Sequence, residues 1–437
     1  WPHQVMRIFT TSESSIELGI KYLRIAVLTY PFIAMTNVYV AMLLALAGCA
    51  GGETSSDNPS NNSNASVSSS DADPIRIGIW TSLTGASAIE GELIENGARL
   101  AAAQWNAKGG INGRQIDFVV YDDQSTTEGA VTATTRLIEN DKVDAIIGSN
   151  LSNSIVATAS LIEEAGIPFV GSGTGTAWTK CGYHYIFRGT VVNSFMNEGF
   201  VRVAAEEMGV KNAAFIWVET ENGQTACADI KEYCNKYGVN IAYEGTYQSS
   251  DTDFTAQVTN TIKANPDGVM LFGLANELSL IVKQLRQAGY NGYIYMAEAG
   301  ASVDLIDVAG SAADGIIFTA AYVVPPEPSK ATSELMKEML EAYVDMYGEM
   351  PATDVAFRVY DGANLLFTAF ENAADMNDKD SVRDAFYNIK GYEGIAGTFD
   401  YSAKDGDGLS GCNAYMIIGG EYYAFDKATL EKEVPVK

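Results

Sequence analysis

Residues 148–176 read GSNLSNSIVATASLIEEAGIPFVGSGTGT, and the fold follows from how this stretch is parsed. An apolar run just ahead of it (Val143, Ala145, Ile146, Ile147) reaches Gly148 as a buried parallel strand. The polar cluster Ser149, Asn150, Ser152, Asn153, Ser154 follows, and then Ile155, Val156, Ala159, Leu161 and Ile162 recur at helical spacing. Ser152 or Asn153 is placed to cap that helix. A second short strand, 167–170, runs into another loop of small polar residues, 171–176. The two loops are expected side by side at the carboxyl edge of one parallel sheet, where ligands of open α/β sheets bind. A helix N-terminus there offers free N–H groups and the positive end of a dipole, which suits an anion such as a carboxylate. Two ordinary capped loops would read the same way.

Working outward, the alternation continues on both sides. Upstream it predicts strand 75–80, helix 93–105, strand 116–121 and helix 130–138. Downstream, after Phe187-Arg188, a second series is expected: helix 194–208, strand 213–218, helix 224–237, strand 239–247 and helix 253–264. It continues with strand 268–272, helix 276–288, and strands 292–295 and 315–319. Strands alternating with helices imply right-handed βαβ units and parallel sheets. The break Pro325-Pro326-Glu327-Pro328 precedes helices at 330–347, 354–373 and 379–388. Strands 414–418 and 421–425 close the chain around a Gly419-Gly420 hairpin turn.

The 437 residues are enough for two domains with sizeable cores. With 28 Lys and Arg against 55 Asp and Glu, the formal net charge is -27, a field that repels nucleic acid and anionic membrane surfaces. No nucleic-acid partner is therefore expected. Of the five cysteines, Cys227 and Cys234 lie seven apart on an expected helix, roughly 10 Å between Cα atoms and beyond disulfide reach. Cys181 and Cys412 are the remaining pair that could bridge, and buried free thiols are the favoured reading. The only histidines are His3 and His184, and no Cys/His cluster exists, so neither a zinc site nor any other cofactor is expected. No catalytic triad, P-loop or GxGxxG motif is present, and the chain does not read as an enzyme. Asp122-Asp123 reads as a solvated strand end rather than a catalytic carboxylate pair.

Residues 25–48 carry no charged side chain and follow Lys21 and Arg24, which fits a signal or membrane-spanning segment. It ends in Leu46-Ala47-Gly48-Cys49, which resembles a bacterial lipobox with Cys49 as the lipidated residue. Residues 7–41 resemble a helix of multidrug-and-toxin-extrusion transporters and read as an artefact upstream of the true signal. Residues 49–74 are Gly/Ser/Asn/Asp-rich and read as a flexible tether. It would hold the folded part roughly 25–30 Å from a membrane anchor.

Several motifs together resemble one family. They are Leu83-Thr84-Gly85 with Gly91 and Gly97-Ala98-Arg99-Leu100-Ala101, the run Asn106-Ala107-Lys108-Gly109-Gly110-Ile111-Asn112-Gly113-Arg114, and Tyr121-Asp122-Asp123. Phe187-Arg188 and Tyr360-Asp361-Gly362-Ala363 complete the set. Residues 75–425 resemble the type I periplasmic binding proteins of the branched-chain amino acid (Leu/Ile/Val) ABC transport family. The resemblance implies an α/β fold of two doubly wound parallel-sheet lobes joined by three crossover segments, closing on an amino acid like a flytrap. The crossings would fall near 188–193, 319–323 and 411–414. Lobe 1 would comprise 75–191 plus 322–412, and lobe 2 would comprise 192–321 plus 413–437.

The resemblance also implies a site. Ser152 aligns with the serine that helps hold the ligand carboxylate, Asn153 follows it, and Gly173, Thr174 and Gly175 align with the loop beside it. A family hydroxyl is absent at Gly175, and Thr174 or Thr176 would substitute for it. Glu298 aligns with the carboxylate that receives the ligand ammonium; a solvated loop acid is the alternative. Where the family has aromatic walls, this chain has Glu90, Asn222 and Leu274, while Trp80 either lines the cleft or belongs to the core. A polar amino acid, an amide, urea or another small carboxylate therefore stays open beside a branched-chain ligand. The implied partners are a small-molecule ligand and an ABC permease, with the membrane reached through the lipid anchor alone and the protein a monomer. A sensory module is the other class; it would need a following membrane helix and signalling domain, neither of which appears before Lys437.

Overall fold

The computed structural model describes residues 73–249 and 251–435; the expected signal segment, Cys49 and most of the expected tether lie outside the described residues. The last tether residues are tied down, because the Arg114 guanidinium donates to the carbonyls of Asp73 (2.7 Å) and Pro74 (3.2 Å).

The first sheet contains β1 (Ile75–Thr81), β2 (Ile116–Asp122), β3 (Ala145–Gly148), β4 (Phe169–Gly171) and β5 (Ile186–Arg188). Its order is β2-β1-β3-β4-β5 and every pairing is parallel. The central strands are the continuously apolar ones: Ile75, Ile77, Ile79, Ile146 and Phe169 are fully buried. That is the pattern of a parallel strand covered on both faces. The covering helices are α1 (Ala88–Ala107), α2 (Thr127–Arg136) and α3 (Ser152–Ala165).

After β5 the chain crosses to α4 (Asn193–Arg202) and builds a second sheet. Its parallel part comprises β6 (Asn212–Val218), β7 (Asn240–Tyr247), β8 (Gly268–Phe272), β9 (Ile294–Met296) and β10 (Ile316–Ala320). The helices between them are α5 (Glu221–Tyr237), α6 (Thr255–Ala264), α7 (Ala275–Gln287) and α8 (Val303–Ala309). The order β7-β6-β8-β9-β10 repeats that of the first sheet strand for strand. The sheet is not purely parallel, however. The closing hairpin, β13 (Asn413–Ile418) and β14 (Glu421–Ala424), adds antiparallel to β10, and its two-glycine turn reverses the chain between β13 and β14.

Between the sheets in sequence lie α9 (Glu334–Tyr347), α10 (Val355–Asn372) and α11 (Lys379–Tyr387), followed by the hairpin β11 (Lys390–Gly394) and β12 (Gly397–Asp400); α12 (Lys427–Glu433) ends the described chain. The predicted helix 330–347 starts only at Glu334, where the Ser333 hydroxyl caps the Met336 N–H (3.2 Å). The β11–β12 pair is absent from the sequence reading because its strands are short and half-exposed. Helix α10 is buried along most of its length and packs on α1, where a Cβ on Gly97 would stand 2.5 Å from the Ala356 carbonyl. No helix among the described residues is long and apolar enough to cross a membrane.

The β1–α1 loop is held from the end of β2. Asp122 accepts from the N–H groups of Leu83 (2.9 Å) and Thr84 (3.2 Å), and Asp123 accepts from the Ser82 hydroxyl (2.6 Å). The expectation of a solvated acid pair is thus corrected for Asp123, which is fully buried, with its carboxyl pushed up by burial. A Cβ on Gly91 would come within 1.8 Å of the Ser82 carbonyl oxygen, a backbone atom that cannot swing aside. Gly91→Ala is therefore expected to destabilise the protein by at least ~2 kcal/mol, read as a lowered unfolding midpoint in urea; an unchanged midpoint would contradict this close packing.

Candidate functional site

A sheet of order 2-1-3-4-5 opens a crevice where successive connections leave in opposite directions, between strands 1 and 3. Both sheets have this order, and the sequence-derived site residues fall on the loops around these points. Ser152 follows β3, Asn222 follows β6, Leu274 follows β8 and Glu298 follows β9.

On the first sheet the two loops of the 148–176 stretch do lie side by side, joined by the Ser172 N–H to the Ser149 carbonyl (3.2 Å). Ser152 is not the helix cap. Leu151 takes that position, its own N–H bonded to the Ser149 hydroxyl (3.0 Å), and Ser152 is the first helical residue. The reason is tertiary: the Ser152 hydroxyl accepts from the Gly175 N–H (3.1 Å) across the two loops instead of from its own helix. A Cβ on Gly173 or Gly175 would stand 2.7 or 2.8 Å from that hydroxyl oxygen, so only glycine lets the loop close over Ser152. The hydroxyl retains its proton for donation, and the first-turn N–H groups of α3 lack helical partners. Together they form a small anion cradle. Asn153 and Thr176 are exposed beside it and Thr174 is half-buried.

Behind the cradle stands Arg188, fully buried on β5. Its guanidinium donates to the carbonyls of Gly173 and Gly175 (the latter at 2.8 Å), pairs with Asp407 (2.7 Å) and lies 4.0 Å from the centroid of the Trp178 ring. The 173–175 backbone is thereby fixed through its Gly173 and Gly175 carbonyls. Lysine cannot reproduce this fork.

On the second sheet, Asn222, Leu274 and Glu298 line one cavity of about 280 Å³, together with Asn193, Met196 and Asn197 of α4. The cradle adjoins it, because the Asn193 N–H, on the cavity wall, donates to the Thr174 carbonyl (3.0 Å). Glu298 does not stand free. It pairs with Arg358 of α10, which also holds Asp354 (2.7 Å). Two carboxylates share one guanidinium, leaving an uncompensated negative charge beside the cavity. Burial pushes the Glu298 carboxyl above the ordinary glutamate range, Arg358 counters that rise, and Asp354 adds to it.

Two sequence-derived residues stand apart from this arrangement. Trp80 is a core residue, fully buried and stacked on Phe169 with centroids 6.1 Å apart, because the strand's last inward position faces α2 and α3 rather than the cleft. Glu90 sits half-buried in the first turn of α1 and does not line the cavity. The cysteines are all free among the described residues, but Cys181 is exposed, against the expectation of burial, because it lies on the surface loop after Trp178. Arg358, Asp354 and Asn197 escaped the sequence reading, and Arg188 entered it only as part of the Phe187-Arg188 motif. An arginine within an apolar helix, as at Arg358, is the one signal that could have exposed part of this set.

A family model described as periplasmic binding protein matches residues 74–421. The chain belongs to the periplasmic binding protein family. Its two lobes and three crossings are those of the type I fold. The chain is 25% identical over 315 residues to the leucine-, isoleucine-, valine-, threonine- and alanine-binding protein of Pseudomonas aeruginosa, covering 72% of this chain and 82% of that one. It is 26% identical over 335 residues to the leucine-specific-binding protein of Salmonella typhimurium, covering 76% and 88%. Among solved structures it resembles the branched-chain amino acid transporter substrate-binding protein LivJ of Streptococcus pneumoniae, determined with isoleucine: 28% identity, TM-score 0.63, 80% of this chain and 97% of that one. The ABC transporter substrate-binding protein from Sphaerobacter thermophilus superposes with TM-score 0.70 at 21% identity, covering 81% and 97%, and this likeness concerns the fold.

Proposed function

We propose that this periplasmic binding protein captures a free amino acid between its lobes and delivers it to an ABC permease without chemical conversion. The carboxylate would lie in the cradle of Ser152, Gly173, Thr174 and Gly175, and the ammonium on Glu298. The observation carrying this reading is the Asp354–Arg358–Glu298 triad, one positive charge short, beside a cavity that adjoins the anion cradle. A cation completes the triad and an anion completes the cradle, so a zwitterion answers both. The named relatives, whose printed ligands are leucine, isoleucine, valine, alanine and threonine, support a small, mainly aliphatic ligand. The carboxamides of Asn193, Asn197 and Asn222 support a polar one.

The lobes would hinge as bodies 75–191 plus 322–412 and 192–321 plus 413–437. Lipidation at Cys49 would hold a monomer at the outer face of the membrane through the 49–74 tether. Titration calorimetry with leucine, its decarboxylated amine and its deaminated acid tests the zwitterion reading. Leucine or another amino acid is expected to bind at least a hundredfold more tightly than either analogue; equal affinity of an analogue would refute it. Tight binding of leucine with no polar ligand bound would remove the amide alternative.

A further inference from the structure

We infer that Asn197 selects an amino acid whose side chain ends in a neutral N–H or O–H donor, a carboxamide or a hydroxyl. This rests on the zwitterion reading and concerns the part of the ligand beyond its α-carbon. Asn197 lies on α4 one turn after Asn193, is 2% exposed, and lines the same cavity as Glu298. Its carboxamide lies toward the Asp229 carboxylate, which is pushed up by burial and by Glu232 and lowered by Asn197. A carboxylate only accepts, so the Asn197 Nδ2 faces Asp229 and the Oδ1 faces away.

That Oδ1 is buried and has no hydrogen-bond partner. Among the described residues it is the one such side-chain atom belonging to a residue on this cavity wall. The wall also carries apolar side chains, among them Met196, Leu271 and Leu278. A buried acceptor against such a wall is unfavourable until a donor reaches it. A methyl group of leucine or valine would leave it unpaired, whereas a side-chain amide or hydroxyl would satisfy it. A second ammonium fits poorly, because a neutral carbonyl in an apolar wall does not balance a full charge and Glu298 is already engaged.

The test uses near-isosteric pairs in titration calorimetry on the full chain: asparagine against leucine, and threonine against valine, with glutamine as a longer carboxamide. The donor-bearing member of at least one pair is expected to bind at least tenfold more tightly, and the pair that shows it separates the carboxamide from the hydroxyl source. Asn197→Leu should bring that preference below threefold. If the single variant fails to fold because Asp229 is stranded, Asn197→Leu with Asp229→Leu removes both partners and serves instead. Leucine and valine binding as well as or better than their partners in the wild type, or a preference that survives the variants, would overturn the inference while leaving the zwitterion reading intact. Binding of no amino acid at all would overturn both.

Discussion

Glu298→Gln is expected to weaken amino acid binding by at least a hundredfold while shifting the unfolding temperature by only a few degrees. The amide keeps the shape of the carboxylate but offers a ligand ammonium only a neutral acceptor in place of a negative charge, a loss of about 3 kcal/mol. Stability is largely spared because Arg358 keeps Asp354 at 2.7 Å. Glutamine also relieves the excess negative charge of the triad. Calorimetry and thermal melting on the same sample separate the two effects. Retained affinity would remove Glu298 from the site.

The same residue predicts a pH dependence. Burial raises the Glu298 carboxyl pKa, with Arg358 opposing and Asp354 reinforcing. Ammonium binding needs the ionised form. Affinity in the wild type should therefore fall on acidification at a less acid pH than an ordinary glutamate would give, and Glu298→Gln should abolish that limb. In the unliganded protein the sign is opposite. A raised folded pKa contributes stability fully present below the unfolded value of about 4.3 and lost as pH rises through the folded value. Ligand-induced stabilisation should consequently grow with pH across this window.

Arg188→Met is expected to cost on the order of 3–5 kcal/mol, with affinity lost as well. The change strands Asp407, only 7% exposed, and leaves the Gly173 and Gly175 carbonyls without their shared donor. Lys180 approaches Asp407 at 3.0 Å and softens the loss without replacing the fork. Arg188→Lys should recover little, since an ammonium cannot bridge two carbonyls and a carboxylate in one plane. Denaturant unfolding and calorimetry check both variants; a midpoint within 1 kcal/mol of wild type in Arg188→Met would show that Arg188 does not organise the 173–175 loop.

The strands around Gly148–Thr176 were legible because a buried parallel strand is an unbroken apolar run and its helix repeats on a different period. The pairing of the two loops followed from that alternation. The role of Ser152 was visible only in part. Local rules made it a cap, but the Gly175 N–H, twenty-three residues on, takes its hydroxyl. Trp80 shows the limit of position alone, since a strand-end aromatic faces core or cleft according to which helices cover it.

By itself, the sequence determined the α/β alternation, its doubling into two successive series and the loops that carry the site, because these rest on periodicities repeated over short stretches. Tertiary structure decided the electrostatics of the site. Arg358 reaches Glu298 across 60 positions and Arg188 reaches Asp407 across 219. Periodicity specifies which face of an element is buried but not which distant charge it meets, and a buried charge is stable only where the fold brings it a partner.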